Sequence, residues 1–298
     1  MAIATSKTSP QSNTIGKIFD CEVFHIDQIP DAMRKMGWEV SARIMEHWFS
    51  ISPAYKMNID DKRAYLTGDP RLIPESVVDK SIIKMQWALQ FVQIQDGIQS
   101  LSKEWNSPSG INELRTKLKN AGWNGNNSVR IGDSNDTLEL EATAQVNRLK
   151  VGDYLDDLND WYGAIGNATL KIVVRGQTQV KNDGSSIFLV EKYGYYIKDT
   201  YDFLSARKWS FWGGSEPLGI WSKNGALNKV ESAIYFESYS LLHYGYLARK
   251  FSGYVPVFNS DFRKWQDKHN SGGDFFVFSD VYWVTAPREQ NIIAIEYK

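Results

Sequence analysis

The chain has 298 residues, a formal net charge of −1 and an apolar fraction of 42%; this supports a packed core and supplies no general field for nucleic acid or anionic lipid. The single cysteine, Cys21, excludes an internal disulfide and a cysteine-based zinc site, and next to Val23 and Phe24 it reads as an inert buried thiol. No segment approaches the roughly 18–20 apolar residues of a membrane span, and the N-terminus lacks a basic region followed by an apolar one. Synthesis in the cytoplasm without a signal peptide is expected.

Residues 1–18, rich in Ser, Thr, Asn and Gln, read as a disordered lead. Met33, Met36, Val40, Ile44 and Trp48 then recur at spacings of three and four, which predicts a helix over 29–50, opened by Pro30-Asp31 and stopped before Pro53. A second stripe, Ile83, Trp87, Phe91, Ile94, Ile98 and Leu101, predicts a longer helix that starts near Pro74-Glu75. Ser107 to Gly110 caps a shorter helix over 111–121 that closes at Gly122. Residues 122–136 are a loop by composition. They mark the border between a helical region, 19–122, and a β-rich region, 123–298, expected to carry the catalytic chemistry.

Beyond the border, 153–162 suggests one more short helix. TLKIVVR (169–175) and SIFLVEK (186–192) read as strands, with turn chemistry at Asn182-Asp183-Gly184 between them. YGYYIKDTYDF continues the β-forming run, and DFFVFSDVYWV and NIIAIEY add two strands. The fold class is therefore α+β: a helical N-terminal half followed by a curved, mainly antiparallel β-sheet C-terminal half. Glycine-rich nucleotide-binding patterns are absent.

Two clusters can carry chemistry. In an extended strand, residues two apart share a face, so Asp199 and Tyr201 point the same way, and Asp202 can turn back toward them from the strand end. Two carboxylates and a phenol can hold Mg²⁺ through hard oxygen ligands, orient a water or take its proton. The same residues also suit a strand end followed by an Asx turn. The second cluster, Arg263, Asp267 and His269, offers an anion clamp, a carboxylate and a titratable base, and Gly272-Gly273 lets backbone come close to a ligand. It reads equally as an exposed helical turn with a glycine stop. Lys62-Arg63 reads as solvated surface, and His47 as packing beside Trp48.

The run from Ala168 to Phe203 resembles the catalytic domain of colicin M-like bacteriocins, in which a strand pair leads into a D-x-Y-D motif, here Asp199-Thr200-Tyr201-Asp202. Where that family has a His-Arg pair after a short spacer, this chain has Lys208-Trp209, with Arg207 one place early. Arg263 and His269 are the expected substitutes. The patterns G-x-Y-x-x-D-x-Y-D-F (Gly194 to Phe203) and H-x-x-G-G-D-F (His269 to Phe275) also resemble a family of proteobacterial proteins associated with type VI secretion.

The colicin M resemblance implies a hydrolase that cleaves lipid II, the peptidoglycan precursor, between lipid and pyrophosphate. It implies Mg²⁺ as cofactor, held by Asp199 and Asp202. Tyr201 would position phosphate, Arg263 would neutralise charge and His269 would transfer a proton. The expected setting is an antibacterial toxin made in the cytoplasm and delivered to the periplasm of a target bacterium. Its partners would be lipid II at the membrane surface, a cognate immunity protein and a component of the secretion apparatus, and no nucleic acid. The alternative is a non-enzymatic secretion adaptor or chaperone.

Overall fold

Gly37 divides the first apolar stripe. Its φ of +78° is a left-handed backbone that glycine adopts without strain. The chain therefore forms α1 (Ile29–Lys35) and α2 (Glu39–Ser50) instead of one helix over 29–50. The two still converge, with Met33, Val40, Ile44 and Trp48 all buried. The computed structural model describes residues 24–153, 156–204, 215–288 and 291–297. The lead at 1–18, Cys21, Arg207 and Lys208-Trp209 lie outside the described residues.

Next come α3 (Ile59–Thr67), the short strand β1 (Val78–Asp79), α4 (Met85–Ala88), α5 (Val92–Glu104) and α6 (Pro108–Asn120). The second stripe is thus also broken. Residues 78–79 are drawn into the sheet, and the backbone at Phe91 is extended. The stripe nevertheless keeps one face: Trp87 and Phe91 meet edge to face at 5.0 Å, and Trp161 stacks on Trp87 at 5.8 Å. Ser107 accepts from the Gly110 N–H and caps α6, which ends before Gly122 as expected.

The remainder runs β2 (Arg130–Ile131), α7 (Thr137–Thr143), β3 (Gln145–Val151), α8 (Asp160–Ala164), β4 (Ala168–Val180) and β5 (Ser186–Tyr201). Then follow β6 (Pro217–Ser222), β7 (Gly225–Ala226), α9 (Lys229–Ser240), α10 (Tyr244–Lys250), β8 (Val255–Phe258), α11 (Asn259–His269), β9 (Phe275–Phe278), β10 (Tyr282–Thr285) and β11 (Ile292–Ile295). The chain is α+β, with helices mostly in the N-terminal half and a curled, mainly antiparallel sheet in the C-terminal half. The expected strand at DFFVFSDVYWV is two strands, β9 and β10.

β5 is the spine of the main sheet. One edge pairs along its length with β4. The other edge takes three partners in turn: β11 at 186–189, β10 at 192–195 and β9 at 198–201. A bulge at Arg175/Gly176 locally bends the β4–β5 ladder. Residues 193–198 are buried without alternation, the pattern of a strand covered on both faces.

One hydrophobic core joins α1, α2 and α4–α6 to the sheet. Asp160 of α8 fastens the halves together. It accepts from the N–H groups of Val40 (3.2 Å) and Ser41 (2.8 Å) at the start of α2, and from the Trp87 indole at 3.0 Å. β6, β7, β8, α9 and α10 form a small lobe whose own cluster contains Ile220, Leu227, Tyr235, Leu247 and Phe251. Among the described residues no helix is long and apolar enough to cross a membrane.

Candidate functional site

The end of β5 opens onto a cavity of about 750 Å³ between the main sheet, α1–α2 and the small lobe. Asp199, Tyr201 and Asp202 all line it, so the expected gathering of two carboxylates and a phenol occurs. Much of the remaining wall is apolar, including Met33, Trp38, Met45, Leu218, Phe236 and Phe262. Pairing of Asp199 with Val277 and of Tyr201 with Phe275 fixes the backbone beneath these groups. The Tyr201 ring stacks on Phe275 at 5.5 Å.

Asp199 is half-buried in the cavity wall, and this burial pushes its carboxyl well above the usual range. The Thr200 backbone N–H opposes the shift, the negative charge of Asp202 adds to it, and Lys62 draws it partly back. Burial also raises the Tyr201 phenol, which therefore stays a protonated hydrogen-bond donor.

Lys62 was expected to be solvated surface; instead it lines the cavity and pairs with Asp202 at 2.5 Å. The Asp202 side chain is 6% exposed, and its other oxygen accepts from the Leu204 N–H at 3.1 Å, so the expected Asx turn and the cavity role coexist. Lys62 stands on α3, whose N-terminus is capped by Asn58. It is 140 residues from Asp202, and nothing local in Lys62-Arg63 distinguishes it from a surface pair.

Arg263 and His269 are not among the residues lining the cavity. The Arg263 guanidinium forks onto Asp274 at 3.0 and 2.6 Å. Fully buried Asp274 also accepts from the Trp48 indole at 3.1 Å and the Met57 N–H at 3.0 Å. His269 is exposed and stacks on Trp265 at 4.5 Å. Asp267 is exposed on the same helix. Gly272 brings backbone close to Trp48, not to a ligand: a Cβ there would stand 2.7 Å from the ring. The H-x-x-G-G-D-F segment thus locks α11 to α2. Asp274→Ala is expected to destabilise the fold by about 3–5 kcal/mol, because it leaves the Arg263 charge unpaired; a denaturant midpoint indistinguishable from wild type would contradict this. His47 packs edge-on against Phe275 at 4.6 Å.

A second buried charge group lies on the opposite face of the sheet. Glu141 of α7 receives Lys171 of β4 at 2.8 Å, Lys198 of β5 at 2.7 Å and the Tyr196 hydroxyl at 2.8 Å. All four are buried. Burial acts to raise the Glu141 carboxyl, but the two ammonium groups prevail and hold it below its ordinary value. Burial lowers Lys171 to about 8 against the pull of Glu141. This group was not among the residues expected from the sequence. Its signal was a lysine inside each of two apolar runs, LKIVV and YYIKD, since a lysine buried in a strand needs an acceptor.

Among the described residues no group of three or more His, Cys, Asp or Glu could hold a metal ion. Asp199 and Asp202 share the cavity and sense each other's charge. In type they fit Mg²⁺, which commonly uses one or two protein carboxylates and completes its shell with water and substrate phosphates.

The model of one protein family matches residues 24–294. The chain belongs to a family of unknown function (DUF6402). The match spans Lys62, the carboxylates at the end of β5, the Glu141 group and the Arg263–Asp274 clasp, so every charged cluster described above falls within the family's extent. No curated protein and no solved structure matches the chain.

Proposed function

We propose that the chain is an antibacterial effector of colicin M-like activity, hydrolysing the bond between lipid and pyrophosphate in lipid II. The observation that carries this reading is the wall of the cavity at the end of β5. There the Asp199 carboxyl stands with Tyr201, Asp202 and the Lys62 ammonium in the wall of a largely apolar chamber. An ionisable group kept in such a place at an electrostatic cost is a mark of a functional site. A chamber with charged groups set in largely apolar walls suits a ligand that joins phosphate to hydrocarbon.

In this reading, water attacks phosphorus, the phosphorus–oxygen bond to the lipid breaks, and a proton ends on the departing lipid oxygen. Lys62 offers positive charge to the phosphate oxygens. Tyr201 keeps its proton and donates to one of them. Asp202, held by Lys62 and the Leu204 N–H, orients the attacking water. Mg²⁺ belongs to the proposal: Asp199 and Asp202 would hold it, and it would neutralise charge developing on the pyrophosphate. Asp199 would have to be ionised to hold it. Arg263 contributes by fastening α11 beside the chamber, and His269 has no role at the reacting atoms. Delivery by a secretion apparatus to the periplasm of a target cell, and an immunity protein in the producer, follow from the same reading.

The test is incubation of purified protein with lipid II and Mg²⁺, with separation of undecaprenol from the pyrophosphorylated disaccharide-peptide. Cleavage that needs Mg²⁺ and is lost in Lys62→Met is expected. A folded sample that leaves lipid II intact would refute the reading and favour a secretion adaptor.

A further inference from the structure

The small lobe carries an exposed tip where α9 turns into α10. Five large apolar or aromatic residues, Tyr239, Leu241, Leu242, Tyr244 and Tyr246, fall within eight consecutive positions, every one of them exposed. Leu241 is 57% and Leu242 67% exposed. Leu242 also has a φ of +59°, a left-handed conformation rarely taken by leucine. That conformation closes α9: the His243 N–H donates to the Ser238 carbonyl at 2.9 Å and the Leu242 N–H to the Tyr239 carbonyl at 3.1 Å, which leaves the Leu242 side chain outside. Tyr239 and Tyr244 meet edge to face at 6.0 Å.

The electrostatics of the segment are one-sided. From Ser238 to Ser260 there is no Asp or Glu, and its fully charged residues are Arg249 and Lys250, both exposed. Lys250 lies over the Tyr246 ring at 5.5 Å, which places a cation beside the apolar tip. The nearest preceding carboxylate is Glu237, one turn back on α9. Tyrosine and leucine backed by lysine and arginine are the groups that settle at the boundary between headgroups and acyl chains, where phenols stay hydrated and cations meet lipid phosphate.

We propose that the α9–α10 tip is a membrane-interface anchor that inserts into the headgroup region of an anionic bilayer. The tip lies at the far end of the helix that walls the cavity: Lys229, Ser232 and Phe236 on the preceding turns of α9 line the chamber. Docking the tip therefore brings the chamber to the surface in which a lipid-linked substrate is embedded. This deepens the reading of the site given above, but its test reads membrane binding and not cleavage.

The experiment is flotation of the full chain with vesicles of phosphatidylcholine alone and with added phosphatidylglycerol, free of lipid II. Binding to the anionic vesicles, reversed by high salt, is expected. Leu241→Ser/Leu242→Asn should weaken it about tenfold or more, and Arg249→Gln/Lys250→Gln should remove the preference for anionic lipid. Asn suits the backbone at 242, and both leucines are exposed, so an unchanged circular dichroism melt is expected of the first variant. Lipid II solubilised in detergent should still be cleaved by it. Absence of binding to either vesicle would overturn the anchor, as would binding that the leucine variant leaves intact. Self-association abolished by the leucine variant, without vesicle binding, would assign the tip to a second copy of the chain. Vesicle binding by a protein that fails to cleave lipid II would keep the anchor and dismiss the hydrolase.

Discussion

Under the proposed hydrolase activity, Asp199→Asn is expected to lower lipid II cleavage by on the order of 10²–10⁴-fold while leaving the fold as stable as wild type or more so near neutral pH. The two effects share one cause. Burial in the cavity wall holds the Asp199 carboxyl well above its ordinary 3.8, so the folded chain binds that proton more tightly than the unfolded chain. The stability linked to it is present in acid and declines as pH rises from 3.8 through the folded value. Asparagine carries no titrating proton and removes the decline. Denaturant midpoints of both proteins at about pH 4 and near neutral pH, read beside cleavage rates, test the pair of claims. An inactive variant that is also badly destabilised at neutral pH would make Asp199 a structural residue and withdraw it from the site.

Glu141→Ala is expected to be among the most damaging single changes in the protein, at about 3–5 kcal/mol. It leaves the ammonium groups of Lys171 and Lys198 buried on one face of the sheet without their shared carboxylate and removes the acceptor of the Tyr196 hydroxyl. Lys171→Met in that background should recover part of the loss, because one buried charge then has no need of a partner. In the otherwise native protein, Lys171 titrates at about 8 against 10.5 unfolded. Between those values the unfolded chain binds more protons, so wild type should gain stability relative to Lys171→Met as pH rises through that window. A double-mutant cycle showing no coupling between positions 141 and 171 would contradict the geometry.

Both predictions rest on residues that differ in how readable they were. The D-x-Y-D segment could be placed at the end of a strand because β-forming residues crowd ahead of it, and period-two geometry brings Asp199 and Tyr201 to one wall. The Asp202 partner was not readable, since Lys62 sits in a polar helix 140 residues away and resembles any surface lysine. Glu141 was hidden in the same way, although Lys171 and Lys198 in apolar runs signalled that some acceptor had to exist. Arg263 and His269 read as a site from residue type alone. Asp274, adjacent to two glycines, takes the Arg263 guanidinium because the close approach of Gly272 to Trp48 brings α11 against α2.

Local sequence was enough for the α+β class, the faces of α1, α2, α4 and α5, the end of α6, the first halves of β4 and β5 and the placing of Asp199, Tyr201 and Asp202 at the end of β5. These are set by periodicity, caps and turn chemistry, which act over a few residues. Which lysine answers which carboxylate, and that the small lobe closes one side of the chamber, came only with the packed fold. Each of those is fixed by contacts between segments far apart in the chain. Their strength comes from burial, which removes competing water and makes a distant partner of opposite charge decisive.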